Sequence, residues 1–247
     1  MKKIFLLLAL ASGPGPVAAE PKASGTAGRS ACQSVMLTDY CQRLTLNLRR
    51  AVAGQGEAMR EIGEFYQNGE GLPRNAARAQ EWYEKAVAAG DKSSYLRLGR
   101  IHEYGGPGLA SDYASAKSWY EKAIAAGYSE GYWSMGWLYQ EGGPGLEKNY
   151  ASAQEWYEKA VAAGADYAYP YIAQLYEEGG PGVEKNYARA KEWYEKALAA
   201  GDLDGNAAIA WLYEEGGPGL EKDWARACSF YKKDGWGPDA QRVCPKN

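Results

Sequence analysis

The chain has 247 residues and a formal net charge of −3, from 28 Lys and Arg against 31 Asp and Glu. It contains no basic run or basic-aromatic patch, which argues against a nucleic-acid-binding surface. One histidine and four cysteines, none of them spaced C-x-x-C, leave almost no ligands for a zinc site, and we expect no cofactor.

The first residues have the features of a secretory signal peptide. Lys2 and Lys3 precede the apolar run Ile4–Leu10, and small residues lead up to Ala19. We therefore predict a signal peptide at 1–19, cleaved after Ala19, and a periplasmic or secreted protein. The apolar run is far shorter than the roughly 20 residues that cross a bilayer, and no later stretch is apolar enough to span a membrane.

The two ends of the remaining chain carry the cysteines. Residues 20–37 are rich in Gly, Ser, Ala and Pro and predict a flexible lead-in. An even number of cysteines in an exported chain indicates disulfides, and four cysteines allow three pairings. Because the cysteines lie in two groups at opposite ends, we favour Cys32–Cys41 and Cys228–Cys244.

Residues 55–235 form five tandem repeats of about 37 residues. One series of aromatic residues recurs at a constant interval of 37 residues: Trp82, Trp119, Trp156, Trp193 and Phe230. A constant period in this range is typical of a stacked array of supersecondary units. A helix over 38–54 and a segment over 236–247 are predicted to cap the two open ends of the array.

The residue pattern of each repeat predicts two helices, which we call helix A and helix B. A glycine-rich loop joins them, and a short turn follows helix B. In the third repeat, helix A covers Ser129–Glu141, Gly142-Gly143-Pro144-Gly145 forms the loop, and helix B includes Gln154–Ala163. Asn or Asp precedes every helix B as a predicted N-cap, at Asn75, Asp112, Asn149, Asn186 and Asp223. Small residues occupy one helix A position and let the helices approach, at Gly63, Gly99, Gly136, Ala173 and Ala210. The repeated Trp-Tyr pair is predicted to fill the core between neighbouring helices.

Two segments carry a resemblance to a known family: "LGRIHEYGGPGLASDYASAKSWYEKAIAAG" (Leu98–Gly127) and "MGWLYQEGGPGLEKNYASAQEWYEKAVAAG" (Met135–Gly164). They resemble Sel-one-like repeats, which are related to tetratricopeptide repeats. The resemblance implies an all-α fold, an α/α right-handed superhelical solenoid of five two-helix repeats with capping helices. It also implies a non-catalytic scaffold or adaptor that binds proteins or peptides, often in bacterial envelopes. The fifth repeat departs from the pattern with "FYKKD", and the fourth places Pro170 in helix A, where it is tolerated only near the first turn.

The outward positions of helix A differ from repeat to repeat, whereas helix B is nearly copied. In such arrays the A helices line the concave side, as the resemblance implies. We predict a groove that binds a protein segment through aromatic anchors and arginines that contact carboxylates. Its predicted residues are Arg97, Arg100, Trp133, Trp137, Tyr171 and Trp211. The alternative is that Trp137 and Trp211 pack between adjacent A helices.

Other functions remain as alternatives. Ser229 and Lys232 match the S-x-x-K motif of penicillin-recognising enzymes, but they occupy ordinary helix B positions and the companion motifs are absent. A β-lactam- or peptidoglycan-acting enzyme is therefore the second hypothesis, beside an immunity protein that neutralises a secreted toxin and a polysaccharide-binding groove. His102 replaces the tyrosine of the other repeats and is expected to be structural. The carboxylates near the loops (Glu177, Glu178, Glu214, Glu215) favour a solvated acidic edge over a calcium site.

Overall fold

The computed structural model describes residues 35–202, 204–233 and 238–244. The predicted signal peptide, Cys32 and nearly all of the predicted lead-in lie outside these ranges. Within them the regular elements are helices joined by short turns, and the prediction of an all-α, repeat-built fold is confirmed.

The helices alternate between the A and B types after a first helix that stands where the sequence predicts a cap. In chain order they are α1 (Val35–Val52), α2 (Gly56–Asn68), α3 (Ala76–Ala88), α4 (Ser94–Tyr104), α5 (Tyr113–Ala125), α6 (Glu130–Glu141), α7 (Tyr150–Ala162), α8 (Tyr169–Glu178), α9 (Tyr187–Ala199), α10 (Gly205–Glu215), α11 (Trp224–Lys233) and α12 (Pro238–Val243). A short 3-10 helix, Asp166–Ala168, precedes α8.

The described residues form two compact units, one up to Trp119 and one from Tyr120 onwards, and the boundary falls inside α5. In the first unit, α1, α2 and α4 bury Leu48, Ile62 and Leu98 almost completely. In the second unit, Ile172 on α8 and Ile209 on α10 are fully buried in one cluster. Each core therefore contains the inward face of the A helices, whose apolar positions recur at helical spacing.

The start of each helix B is fixed by its Asn or Asp cap, and in α3, α7 and α9 also by the loop of the next repeat. The side-chain oxygen of Asn149 accepts a hydrogen bond from the amide of Ser152 at 2.9 Å. The amide of Tyr150, which no carbonyl within the helix can reach, donates instead to the carbonyl of Pro181 in the next repeat at 2.7 Å. Equivalent cap bonds form at Asn75, Asp112, Asn186 and Asp223, which confirms the predicted caps.

The small helix A residues allow close contact with the tyrosine of helix B. A Cβ atom placed on Gly136 would lie 2.5 Å from ring carbons of Tyr157, and one on Gly63 would lie 2.5 Å from a ring carbon of Tyr83. Both tyrosines are completely buried. The tyrosine of the Trp-Tyr pair is therefore a core residue, as predicted.

Each of these buried tyrosines donates to a Gln or Glu near the end of helix A. Tyr157 donates to Gln140 at 2.8 Å and Tyr194 donates to Glu177 at 2.7 Å. Two further pairs repeat this arrangement, Tyr83 with Gln67 and Tyr231 with Glu214. The phenol group is thereby satisfied inside the core, which avoids the cost of an unpaired buried polar group.

The C-terminal cap is joined to the last repeat by a covalent bond and a charge pair. Cys228 on α11 forms a disulfide with Cys244, the pairing that the sequence favours. Arg242 on α12 binds the buried carboxylate of Glu214 on α10. At the other end Cys41 is disulfide-bonded, and Cys32, its favoured partner, lies outside the described residues.

Candidate protein-binding surface

Four aromatic side chains of the second unit form one cluster, which we call the aromatic shelf: Trp133, Trp137, Tyr167 and Tyr171. The rings of Trp133 and Trp137 stack at 5.9 Å with planes 16° apart. Tyr171 meets Trp133 edge-on at 5.3 Å and Trp137 edge-on at 6.4 Å, and Tyr167 meets Trp133 edge-on at 6.4 Å. Such edge-on and offset contacts are favourable geometries for aromatic pairs.

Helical spacing brings the members of the shelf together. Trp133 and Trp137 are four residues apart on α6 and therefore lie on one face. Tyr167 lies in the 3-10 helix four residues before Tyr171, which is on α8. Pro170 stands in the first turn of α8, the place where a missing backbone amide costs nothing, as predicted.

The shelf is partly open to solvent. Tyr167 is 52% exposed, and Trp133, Trp137 and Tyr171 are half-buried. The indole nitrogen of Trp133 is buried without a hydrogen-bond partner. Among the described residues, no Lys or Arg cation lies over the rings of Trp133 or Trp137. Within the part of the chain that the structure describes, these two indoles thus have no cation partner.

The tryptophans of helix B differ in this respect. Trp156 and Trp193 carry the ammonium of Lys159 and Lys196 at 4.0 and 3.4 Å from their ring centroids. The sequence predicts that these tryptophans fill the core between neighbouring helices; both pack against a neighbouring helix A, but each is only half-buried and lies at the margin of the core. Each indole contacts a tyrosine of the neighbouring helix A, at 6.1 Å for Tyr132–Trp156 and 6.0 Å for Tyr169–Trp193, and the lysine three residues further along its own helix adds a cation–π contact.

Carboxylates extend the stripe that contains the shelf. Glu141 follows Trp137 by four residues on α6, and Glu178 follows Tyr171 by seven on α8, so each continues the same helical face. Both side chains are exposed. Tyr150 at the start of α7 donates to Glu178 at 2.7 Å, and burial, this bond and the charges of Glu178 and Glu141 raise the pKa of Tyr150 to about 12. The negative charges of Glu141 and Glu178 therefore both act on the phenol of Tyr150.

The other predicted binding residues lie elsewhere. Trp211 on α10 packs against Tyr187 at 5.7 Å and remains 37% exposed, and this contact lies outside the shelf. In the first unit Arg97 forms an ion pair with Glu64 at 3.0 Å. Arg100 is exposed on α4 and forms no ion pair within the described residues. The sequence analysis did not predict Tyr167 as a binding residue. Its spacing of four residues from Tyr171 would have indicated that both side chains lie on the same helical face.

A family model for the Sel1 repeat matches residues 56–91, 92–128, 129–164, 167–202 and 204–233. The chain belongs to the Sel1 repeat family. Its repeats cover most of the chain, and proteins built from Sel1 repeats are generally scaffolds for protein–protein interaction and mostly non-catalytic.

Solved structures of several bacterial proteins are similar to this one. A Sel1 repeat protein from Oxalobacter formigenes is 32% identical with a TM-score of 0.55, over 75% of this chain and 72% of that one. A protective antigen of uropathogenic Escherichia coli with the same fold is 26% identical with a TM-score of 0.50, over 77% of this chain and 48% of the other, about half its length. An immunity protein from Pseudomonas aeruginosa is 16% identical over 90% of this chain and 86% of that one, with a TM-score of 0.44, too remote to carry a functional argument. No curated protein matches the chain.

The remaining sequence hypotheses concern chemistry. Ser229 and Lys232 are both exposed on α11 of the last Sel1 repeat. Within residues 35–202, 204–233 and 238–244, no three His, Cys, Asp or Glu side chains are grouped to hold a metal ion.

His102 is buried, and burial lowers its pKa although Asp112 and Glu84 oppose this shift. Across the same ranges, no helix has the length and hydropathy for a membrane crossing.

Proposed function

We propose that this Sel1 repeat protein is a non-catalytic scaffold that binds a segment of another protein on the aromatic shelf. The observation that supports the proposal is the contrast between two sets of tryptophans. Trp156 and Trp193 are covered by lysines of their own helices, whereas Trp133 and Trp137 have no such cover. Aromatic residues that are rigidly packed on one side and open on the other are the residue types that dominate binding energy at protein interfaces.

The proposed location is the bacterial periplasm or the exterior of the cell. The Cys228–Cys244 disulfide is compatible with an oxidising compartment, where such bonds persist. The N-terminal charge and apolar run predict export with cleavage after Ala19. Cell fractionation followed by N-terminal sequencing tests this directly. A cytoplasmic protein that retains residues 1–19 would contradict the proposed location.

Selection of binding peptides from a random display library tests the binding surface without knowledge of the natural partner. The purified mature protein serves as bait, and the enriched peptides are then measured against Trp137→Ala. Truncation of an interface anchor costs about 2 kcal/mol or more, so we expect a loss of affinity of about 30-fold or more. Trp156→Ala is the matched control, because it removes a half-buried indole that lysine already covers. Peptides that bind both variants as tightly as the parent protein would refute the shelf as the binding surface.

A further inference from the structure

The A helices of the second unit carry only one sign of charge. Helices α6, α8 and α10 contain no Lys and no Arg, but each contains two glutamates. Four of these carboxylates are exposed: Glu130, Glu141, Glu178 and Glu215. The described basic residues of this unit lie in the loops, on the B helices and on α12, where Arg242 pairs with Glu214 of α10. The A helices that carry the aromatic shelf therefore present an acidic surface, and Lys148 of the loop after α6 lies beside it, over the ring of Tyr150 at 5.4 Å.

The acidic positions are in register with the shelf. Glu141, Glu178 and Glu215 occupy equivalent places, each in the last turn of its A helix. Glu141 follows Trp137 by four residues, and Glu215 follows Trp211 by four residues, so each carboxylate continues the stripe of an indole on the same helix face. The phenol of Tyr150 donates to Glu178 at 2.7 Å, which fixes the position of that carboxylate at the end of α8.

The first unit has a different pattern. Its A helices carry Arg60, Arg97 and Arg100, and Arg60 and Arg97 both form ion pairs with Glu64. A mixed and largely paired set of charges gives little preference for one sign of partner. In the second unit the exposed carboxylates of α6, α8 and α10 have no basic residue on these helices to pair with.

We propose that the segment bound on the aromatic shelf is basic, with a Lys or Arg side chain over the face of Trp137 and its charge balanced by Glu141 and Glu178. An ammonium over an indole is a contact this chain already makes, as the Lys159–Trp156 and Lys196–Trp193 pairs show at 4.0 and 3.4 Å. A partner cation would form with Trp137 the contact that Trp156 forms internally. A carboxylate in its neighbourhood strengthens the attraction, and a negative surface accelerates the encounter with a positive segment.

This inference rests on the proposed function and names the partner chemistry. Three fluorescently labelled peptides of equal length test it, identical except that their variable positions hold Lys, norleucine or Glu. Norleucine keeps the aliphatic stem of lysine and lacks its charge. Binding to the mature protein is measured by fluorescence anisotropy at several salt concentrations. We expect the Lys peptide to bind at least about tenfold more tightly than the norleucine peptide, and the Glu peptide to bind most weakly, with an affinity for the Lys peptide that falls as salt rises.

Variants separate a specific contact from attraction to a generally acidic protein. Trp137→Ala keeps every charge, and we expect it to weaken the Lys peptide about 5- to 30-fold, which corresponds to a cation–π contact of about 1–2 kcal/mol. Glu141→Gln together with Glu178→Gln should weaken binding and flatten its salt dependence. Trp156→Ala should bind like the parent protein. Trp137→Leu replaces Trp137→Ala if circular dichroism shows that the alanine variant is not folded.

Two kinds of result overturn the inference. The first is a norleucine or Glu peptide that binds as tightly as the Lys peptide, or a Lys peptide that does not bind at all. The second is a Lys peptide whose affinity is unchanged by Trp137→Ala, since it would then bind the acidic surface without the shelf. Library-selected peptides that need Trp137 but contain no excess of Lys or Arg would leave the proposed function intact and refute only the basic partner.

Discussion

Arg242 donates hydrogen bonds from both terminal nitrogens to the two carboxylate oxygens of Glu214, one of them at 2.8 Å. The Glu214 side chain is only 7% exposed and also accepts from Tyr231 at 3.0 Å. These bonds, with the bond from Arg242 the strongest cause, lower the pKa of Glu214. The last helix is thus held to the repeats by a bidentate charge pair as well as by the disulfide.

Arg242→Ala should destabilise the C-terminal repeat by about 1–3 kcal/mol. Removing one partner of a largely buried pair leaves the other charge uncompensated, but the exposure of Arg242 lets water screen part of the cost. Urea unfolding of the variant measures the loss. The double variant with Glu214→Gln should recover most of it, because Gln140 shows that a glutamine suits the equivalent position. Equal stability of the single and double variants would contradict this account.

Glu177→Gln should stabilise the protein at neutral pH. Burial is the main cause that raises the pKa of Glu177, although its bond from Tyr194 opposes the shift. A carboxyl group with a raised folded pKa favours the folded state at low pH, and this contribution is lost as pH rises through the folded pKa. Glutamine keeps the bond from Tyr194, as in the Tyr157–Gln140 pair. Urea midpoints at pH 7 should therefore rise in the variant, and the gain should vanish near pH 4. A gain of equal size at both pH values would refute the charge explanation.

Most of the repeat architecture could be predicted because it is periodic. Three features recur in all or nearly all of the five repeats: the helix caps, the small helix A residues and the buried tyrosines. A structural role inferred for one of these positions in one repeat therefore applies to the equivalent positions in the others. The shelf could be predicted only in part. Spacing on α6 brings Trp133 and Trp137 together, but the contact with Tyr171 depends on how α8 packs against α6. The cover of Trp156 by Lys159 also escaped prediction, since the same Trp-x-x-Lys spacing is compatible with a buried or an exposed indole.

Replacing Cys228 and Cys244 by serine should cost about 3 kcal/mol. The bond closes a segment with a sequence separation of 16, and in the chain-entropy model a loop of that size contributes roughly this amount by restricting the unfolded state. The loss should be greatest at the last helix, because α12 contacts α11 directly. Hydrogen exchange followed residue by residue checks the location. A uniform loss of protection across both units would contradict a local role of the disulfide.

Gly136→Ala should destabilise the protein by about 1–2 kcal/mol. Alanine in a helix is ordinarily more favourable than glycine by about 0.5–1 kcal/mol. Here the added Cβ would lie 2.5 Å from the ring of Tyr157, which is buried and packs against Tyr171 at 5.4 Å. Overpacking of this kind costs about 1–3 kcal/mol and outweighs the gain. Ala173→Gly is the matched control, because the fourth repeat already accommodates a Cβ at this position. The thermal midpoint of each variant reports the change, and a more stable Gly136→Ala would show that the tyrosine ring moves freely.

The single histidine should make the first unit sensitive to acid. His102 is buried where the other repeats have tyrosine, its Nδ1 has no hydrogen-bond partner, and burial lowers its pKa. Because the folded state prefers the neutral imidazole, its stability is retained above the unfolded pKa of about 6.5 and decreases as pH falls below that value. Asp112 and Glu84 raise the pKa of His102 and so reduce the effect without reversing it. His102→Tyr removes the titrating group and introduces the residue that the third repeat has at the equivalent position, Tyr139. Urea unfolding at pH 7.5 and pH 5 should show a smaller loss of stability for the variant than for the parent protein. The same loss in both would mean that His102 is not the group that responds to acid.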